Sequence, residues 1–162
     1  MKDDIKSDLD TIFRTHQEKK DNAQKLEEEK GRREEEFLSQ FYLHQKTTIK
    51  PAMEAIGKYI SEKGYSYRID ESKDEITHDV KRRGASISIC FLVGRDPLRP
   101  SHEYPNFTVF CDKHAQRARF SESTISPGLS GRSGAAGEAP LTEVTEELIH
   151  KKIIKILTEV FK

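Results

Sequence analysis

The chain has 162 residues, of which 34% are apolar and 35% are charged, and its 28 basic and 28 acidic side chains give a formal net charge of zero. Soluble domains average about 45–50% apolar and about 25% charged residues, so this composition predicts that part of the chain lies outside a globular core. The neutral balance gives no support for bulk electrostatic attraction to nucleic acid or to an anionic membrane.

The N-terminus carries charged residues from the start and has no apolar segment typical of a secretory signal. The longest apolar run, residues 87–93, is far shorter than the roughly 18 residues that a membrane-spanning helix needs. Only Cys90 and Cys111 are present, which is too few for the disulfide framework of a small secreted fold. We therefore expect a soluble, cytoplasmic protein with two reduced thiols and no membrane partner.

Residues 1–36 are predicted to form a charged helical stalk. They hold nine basic and twelve acidic side chains and no proline, and between residues 15 and 36 only Ala23 and Leu26 are apolar. Acidic residues stand four positions before basic ones, as in the pair Glu28 and Arg32, and each such pair supports a helix by about 0.2–0.5 kcal/mol. This segment cannot form a hydrophobic core by itself.

One side of the stalk follows the alternating three- and four-residue spacing of a coiled coil. The spacing lasts for more than four heptads, although Lys19, Lys30 and Arg33 interrupt its apolar positions. Three arrangements fit this pattern: a weak dimer, an antiparallel hairpin with another helix, and a single solvated helix. We favour the dimer. The residues expected to mediate oligomerisation are Ile5, Leu9, Ile12, His16, Ala23, Leu26 and Phe37.

Residues 37–162 are predicted to form a globular head, and this head begins with a continuation of the helical period. Pro51 is expected to divide or kink the helix, because proline is tolerated in a first helical turn but not in the interior. A short second helix is predicted over 51–63, with Gly64 as its left-handed cap.

From Gly64 onward the apolar period changes to the alternation of β-strands. Residues 65–69 and 76–80 are predicted to form a hairpin around a turn at 70–74. Residues 85–93 predict a central strand that turns Ile87, Ile89, Phe91 and Val93 towards the core. Two further strands are predicted over 106–111 and 116–124, whereas three prolines exclude regular structure over 94–105.

An amphipathic helix is predicted over 142–162, with acidic residues in its first turn and lysines further along. The sheet needs cover on at least one face, which this helix and helix 51–63 can provide together. The predicted fold class is therefore α+β: a long charged N-terminal helix, a short helix, an antiparallel meander of about five strands, and a C-terminal helix packed on the sheet.

Residues 126–140 contain four glycines and two prolines and are predicted to form a flexible loop. Glycines and Arg132 could cradle a phosphate, but the segment lacks the Gly-Lys-Ser/Thr ending of a P-loop. We therefore favour a loop without a fixed ligand, or one that becomes ordered on a partner.

Cys111 and His114 have a spacing that could provide two of the four ligands of a zinc ion. A second pair of ligands is missing, and sequence neighbours on a tight turn rarely act as nucleophile and base. We expect no metal, no cofactor and no catalytic residue.

Basic side chains on the predicted strands, together with Phe110 or Phe120, could form a stacking platform for single-stranded nucleic acid. Nearby acidic residues dilute this charge, and no sequence motif of such a binder is present. The candidate residues for binding a nucleic acid or a small anion are Arg68, Lys81, Arg117, Arg119 and Arg132.

The sequence favours a non-enzymatic, oligomeric interaction or adaptor protein, in which the stalk associates and the head binds a protein partner. The alternative is a nucleic-acid- or small-anion-binding module that uses the basic strand face and the Gly-rich loop. A hydrolase or transferase built on Cys111 and His114 is the weakest hypothesis, since no second catalytic group accompanies them.

Overall fold

The computed structural model describes residues 2–76, 82–94 and 99–162. The chain divides into two compact units, of which the second spans Phe37–Lys162 and the first comprises the residues before it. The two units are described separately below.

Helix α1 (Asp3–His44) begins in the first unit, with Asp3 and Asp4 in its first turn, where acidic side chains complement the helix dipole. All residues from 2 to 33 are exposed. This confirms the predicted long, charged N-terminal helix.

In the second unit the helical backbone continues without a break through a π-helical turn (Gln45–Ile49) into α2 (Lys50–Glu62). Pro51 lies in the first turn of α2, as predicted, and the change in geometry falls in the turn before it. Proline has no N–H and its ring crowds the preceding turn, so a wider turn accommodates it without ending the helix. Gly64, with φ 92°, follows the end of α2 in the left-handed conformation expected of a cap.

A five-stranded antiparallel sheet follows. Its strands are β1 (Tyr67–Ser72), β4 (Ser86–Phe91), β5 (Asn106–Asp112), β6 (Arg117–Ser123) and β7 (Ser133–Ala139), in the order β1-β4-β5-β6-β7. A separate two-residue ribbon joins β2 (Glu75–Ile76) to β3 (Arg82–Arg83). The chain closes with α3 (Glu146–Val160), and the predicted α+β class is confirmed.

The predicted turn at 70–74 is wrong, because β1 continues to Ser72, and Glu75–Ile76 pairs with β3 and not with β1. Strand β1 pairs with β4 along its whole length, with Tyr67 opposite Phe91 and Ile69 opposite Ile89. Residues 77–80 lie outside the described residues.

The predicted loop over 126–140 is wrong in its second half, because Ser133–Ala139 forms the edge strand β7. Glycine and alanine have low strand propensity. Strand β7 therefore forms because it pairs with β6 and not because of its own composition. A bulge opposite Phe120 and Ser121 interrupts the pairing. The Lys152 ammonium of α3 donates a hydrogen bond to the Ala136 carbonyl oxygen at the bulge (2.5 Å).

Helix α3 begins at Glu146 because the Thr145 side chain accepts a hydrogen bond from the Leu148 N–H (3.2 Å), which makes Thr145 the N-cap. The predicted helix over 142–162 is therefore confirmed, with a later start. Residues 141–143 form a separate 3₁₀ turn.

The core lies between one face of the sheet and the helices of the second unit. Ile87, Ile89 and Phe91 face it, as predicted. Side chains from α1, the π-helical turn, α2 and α3 cover them. The largest fully buried side chains are Phe41, Ile49, Met53, Ile87, Ile89, Phe91, Phe107, Val109, Val144, Ile149, Ile153 and Ile156.

Candidate functional surfaces

The first candidate surface is the apolar side of the stalk helix. Ile5, Leu9, Ile12 and Leu26 are 48%, 36%, 59% and 67% exposed, respectively. His16 and Ala23 are exposed on the same side. We name this set the stalk stripe: Ile5, Leu9, Ile12, His16, Ala23 and Leu26.

Phe37, the seventh residue predicted for oligomerisation, is not part of the exposed stalk stripe, because it is buried within the second unit. The sequence analysis missed Phe13, which is 66% exposed. Phe13 lies four residues after Leu9 and next to Ile12, so an i, i+4 search starting from Leu9 would have found it.

The other side of the stalk carries polar side chains that form hydrogen bonds with one another along the helix. Gln17 donates to the Asp21 carboxylate (2.9 Å) and Gln24 donates to the Glu28 carboxylate (3.3 Å). The stalk therefore has one polar side and an opposite side whose large apolar residues are concentrated near the N-terminus, with Ala23 and Leu26 further along. An apolar stripe of this kind is typical of a helix that packs against another helix.

The second candidate surface is the face of the sheet opposite the core, which we call the open face. Strand register places Ser72, Ser86, Phe110 and Arg119 in one row across four strands. Phe110 is 41% exposed. A depression of about 570 Å³ lies beside it and is lined by Asp70, Ser72, Gly84, Ser86, Ser88, Ser101 and Phe110.

Three of the predicted basic residues reach the open face, and each is paired with an acidic side chain. Arg68 contacts Asp70 (3.3 Å) and donates a hydrogen bond to Ser101. Arg117 contacts Glu138 (3.5 Å). The open face therefore carries alternating charges and is not a basic stripe.

Arg119 is the most exposed of these cations, with 57% of its side chain accessible, and its Nε lies 2.6 Å from the Asp112 carboxylate. The backbone N–H of Ala115 and, less strongly, Arg119 hold the pKa of Asp112 below its usual value. Lys81 lies outside the described residues.

Arg132 lies away from the open face, in contact with β6 and α3. It donates to Glu122 (2.7 Å) and makes two hydrogen bonds to the Glu159 carboxylate (2.6 and 2.9 Å). These bonds raise the pKa of Arg132 above its ordinary value. Its backbone N–H and carbonyl oxygen both bond to Thr124, which closes the preceding turn. Arg132 thus connects this turn to α3, and its guanidinium group is bound by two carboxylates and does not line a phosphate site.

The sequence analysis missed Glu122, a buried acid on the core side of β6. One of its oxygens accepts from Arg132, and Lys155 lies 3.5 Å from the same oxygen. Its Oε2 has no hydrogen-bond partner among the described residues. The strand alternation of Ala118, Phe120 and Glu122 was the available signal, because it places the acid on the same face as the two apolar side chains.

Cys111 and His114 line a second depression, of about 410 Å³, at the β5–β6 end of the sheet. Burial raises the pKa of the Cys111 thiol to about 12, so the thiol stays protonated at neutral pH. The charged neighbours form pairs: Lys113 contacts the buried Asp74 carboxylate (2.6 Å) and Arg119 contacts Asp112. This arrangement does not activate a cysteine nucleophile.

Within residues 2–76, 82–94 and 99–162, no group of three or more His, Cys, Asp or Glu side chains could hold a metal ion. None of the helices in this part of the chain is both long and apolar enough to cross a bilayer. Comparison with protein families, with curated proteins and with solved structures finds no match. Functional conclusions therefore depend on the geometry of the two surfaces.

Proposed function

We propose that this is a non-enzymatic, oligomeric interaction protein whose stalk joins two copies of the chain and whose head binds a protein partner. The observation that carries the proposal is the stalk stripe. Ile5, Leu9 and Ile12, together with Phe13, place four large apolar side chains within nine residues of one exposed helix. Such contiguous apolar surface is a mark of interaction sites.

The expected association is weak. Complete burial of a large aliphatic or aromatic side chain contributes about 1.5–3 kcal/mol, and these side chains are already partly covered in the single chain. Their combined contribution is comparable with the roughly 4–15 kcal/mol that association costs in lost freedom. The surplus that remains for binding is therefore small, so we expect a weak dimer, and a single charge in the stripe should abolish pairing.

The stalk proposal is tested by Leu9→Asp and Leu26→Asp, with Ser7→Asp as a matched control on the solvated side of the same helix. Sedimentation velocity should give a dimer for the wild type and for the control, and a monomer for both leucine variants. All five tyrosines lie after residue 36, so tyrosine fluorescence reports only the fold of the head. Equal masses for the wild type and both leucine variants would overturn the proposal.

The head is proposed to bind its partner on the open face, where Phe110 is exposed between the two depressions. The two free thiols, Cys90 and Cys111, are compatible with a reducing compartment, and we propose a cytoplasmic location.

A nucleic-acid-binding module is the second candidate, and one observation favours it: Phe110 is exposed directly opposite Arg119 on the open face. Stacking of a base on an aromatic ring contributes about 1–3 kcal/mol. A mobility-shift assay with single-stranded DNA and RNA at low salt tests this candidate. Binding that weakens with salt and is lost in Phe110→Ala supports it, and absence of binding at low salt refutes it.

A further inference from the structure

The direction of pairing can be inferred from the order of residues along the stalk, provided that the stalks associate as proposed above. Helix α1 is uninterrupted from Asp3 to His44, so the seven-residue pattern continues along the whole stalk. A straight helix drifts about 20° per heptad against this pattern, and supercoiling of two paired helices compensates for the drift. The successive core positions of the pattern are Ile5, Leu9, Ile12, His16, Lys19, Ala23, Leu26, Lys30 and Arg33.

In a parallel dimer in register, each core residue faces the same residue of the second copy. Lys19, Lys30 and Arg33 would then each meet a like charge in a layer shielded from water. A charged residue at a core position already lowers the stability of a coiled coil, and like charges at close range add repulsion.

An antiparallel dimer with Leu9 opposite Leu26 keeps Lys19 and Lys30 from facing a second lysine in the core, whereas Arg33 lies opposite Lys2, which precedes the start of α1. When Leu9 lies opposite Leu26 of the second copy, Ile12 lies opposite Ala23, and the two layers occur twice because of the two-fold symmetry. His16 then faces Lys19 in the middle of the dimer, and the other charged core residues lie at its two ends. A polar layer of this kind specifies register at some expense in stability.

The ends of the stalk fit the same register. Lys30 lies opposite Ile5, where its aliphatic stem can cover the apolar side chain while its ammonium group reaches water. At the flanks Lys6 faces Glu27 and Asp8 faces Glu29, one attractive and one repulsive contact that offset each other. The preference therefore rests on the core layers.

We propose that two copies of this chain pair through antiparallel stalks with Leu9 opposite Leu26. In this register Leu9 of one copy and Leu9 of the other are separated by about 25 Å along the helix axis, from the 1.5 Å rise per residue. A disulfide requires Cα atoms about 4.4–6.8 Å apart, so cross-linking distinguishes the two directions.

The experiment uses the full chain in three forms: Leu9→Cys, Leu26→Cys and the double variant. Each is oxidised under mild conditions and analysed on a non-reducing gel, and its mass is measured before oxidation. The wild type, which retains the buried Cys90 and the half-buried Cys111, serves as the control for background cross-linking. Cysteine is itself apolar, so the substitutions should weaken association only moderately.

The antiparallel register predicts that the double variant shifts to twice the 18.6 kDa of one chain and that neither single variant does. Cross-linking of either single variant would demonstrate parallel pairing and overturn this inference. A dimer in which no variant cross-links would overturn the register. A monomeric mass for every form, with no cross-link, would instead overturn the underlying proposal of self-association.

Discussion

Two neighbouring isoleucines of α3 provide a direct test of how the head is held together. Ile153 is fully buried in the core, whereas Ile154 is 56% exposed. Truncating each to alanine removes the same atoms from the same helix and changes the helix propensity equally. The difference between the two variants therefore isolates the contribution of burial.

The magnitude follows from the atoms removed. Each buried methylene group contributes about 0.8 kcal/mol, and three carbons are lost, so transfer alone accounts for about 2.4 kcal/mol. The cavity left behind adds to this loss, and measured values for isoleucine to alanine in cores are about 2–5 kcal/mol. We expect Ile153→Ala to lower the free energy of unfolding by about 3 kcal/mol, and Ile154→Ala by less than about 0.5 kcal/mol.

Urea unfolding followed by tyrosine fluorescence measures both values, because the stalk contains no tyrosine. Equal destabilisation by the two variants would refute the assignment of the core face of α3. A larger loss of free energy of unfolding for Ile154→Ala than for Ile153→Ala would place Ile154 towards the sheet and require a rotated helix.

Three further predictions follow from particular contacts. A Cβ methyl group added at Gly57 would overlap the Tyr67 ring. No described atom lies within 4 Å of the methyl group that Gly31→Ala would add. Calorimetry should therefore show that Gly57→Ala destabilises the head, and circular dichroism should show that Gly31→Ala raises helicity; a stabilised Gly57→Ala would contradict the packing. Because the pKa of Asp112 is lowered in the fold, its contribution to stability is present above its ordinary pKa and lost as the pH falls below it. Asp112→Asn should flatten the acid side of the stability curve, and an unchanged curve would exclude that linkage. With its pKa raised to about 12, Cys111 should react with iodoacetamide at pH 8 only after unfolding, and rapid labelling of the native protein would revive the nucleophile hypothesis.

Patterns of period and capping were sufficient to predict most of the helices and the core face. The alternation of Ile87, Ile89 and Phe91 identified the buried side of β4 because β-strand side chains alternate strictly between the two faces. Gly64 marked the end of α2 for a similarly local reason, since few other residues adopt its φ of 92° without strain.

Strand pairing was harder to predict because it depends on contacts distant in sequence. Nothing in residues 133–139 indicates a strand, and β7 exists because β6 supplies a partner edge and α3 supplies Lys152. The partner of β1 was missed for the same reason: the nearest alternating segment in the sequence was taken in place of the best-matched one, β4.

The candidate surfaces show the same division between local and distant information. The stalk stripe could be located from spacing alone, because a single continuous helix fixes the side on which each residue lies. The basic set could not be interpreted in this way. The acidic partners of Arg68, Arg117 and Arg119 come partly from other strands, and Arg132 is bound by Glu159 of α3.

The most direct test of the central claim is the mass of the full chain measured by light scattering at concentrations from the micromolar to about the millimolar range. Self-association through the stalk predicts a mass that rises with concentration towards twice the 18.6 kDa of one chain, and Leu9→Asp should stay at the mass of one chain. A wild-type mass that remains at one chain throughout this range would contradict the account.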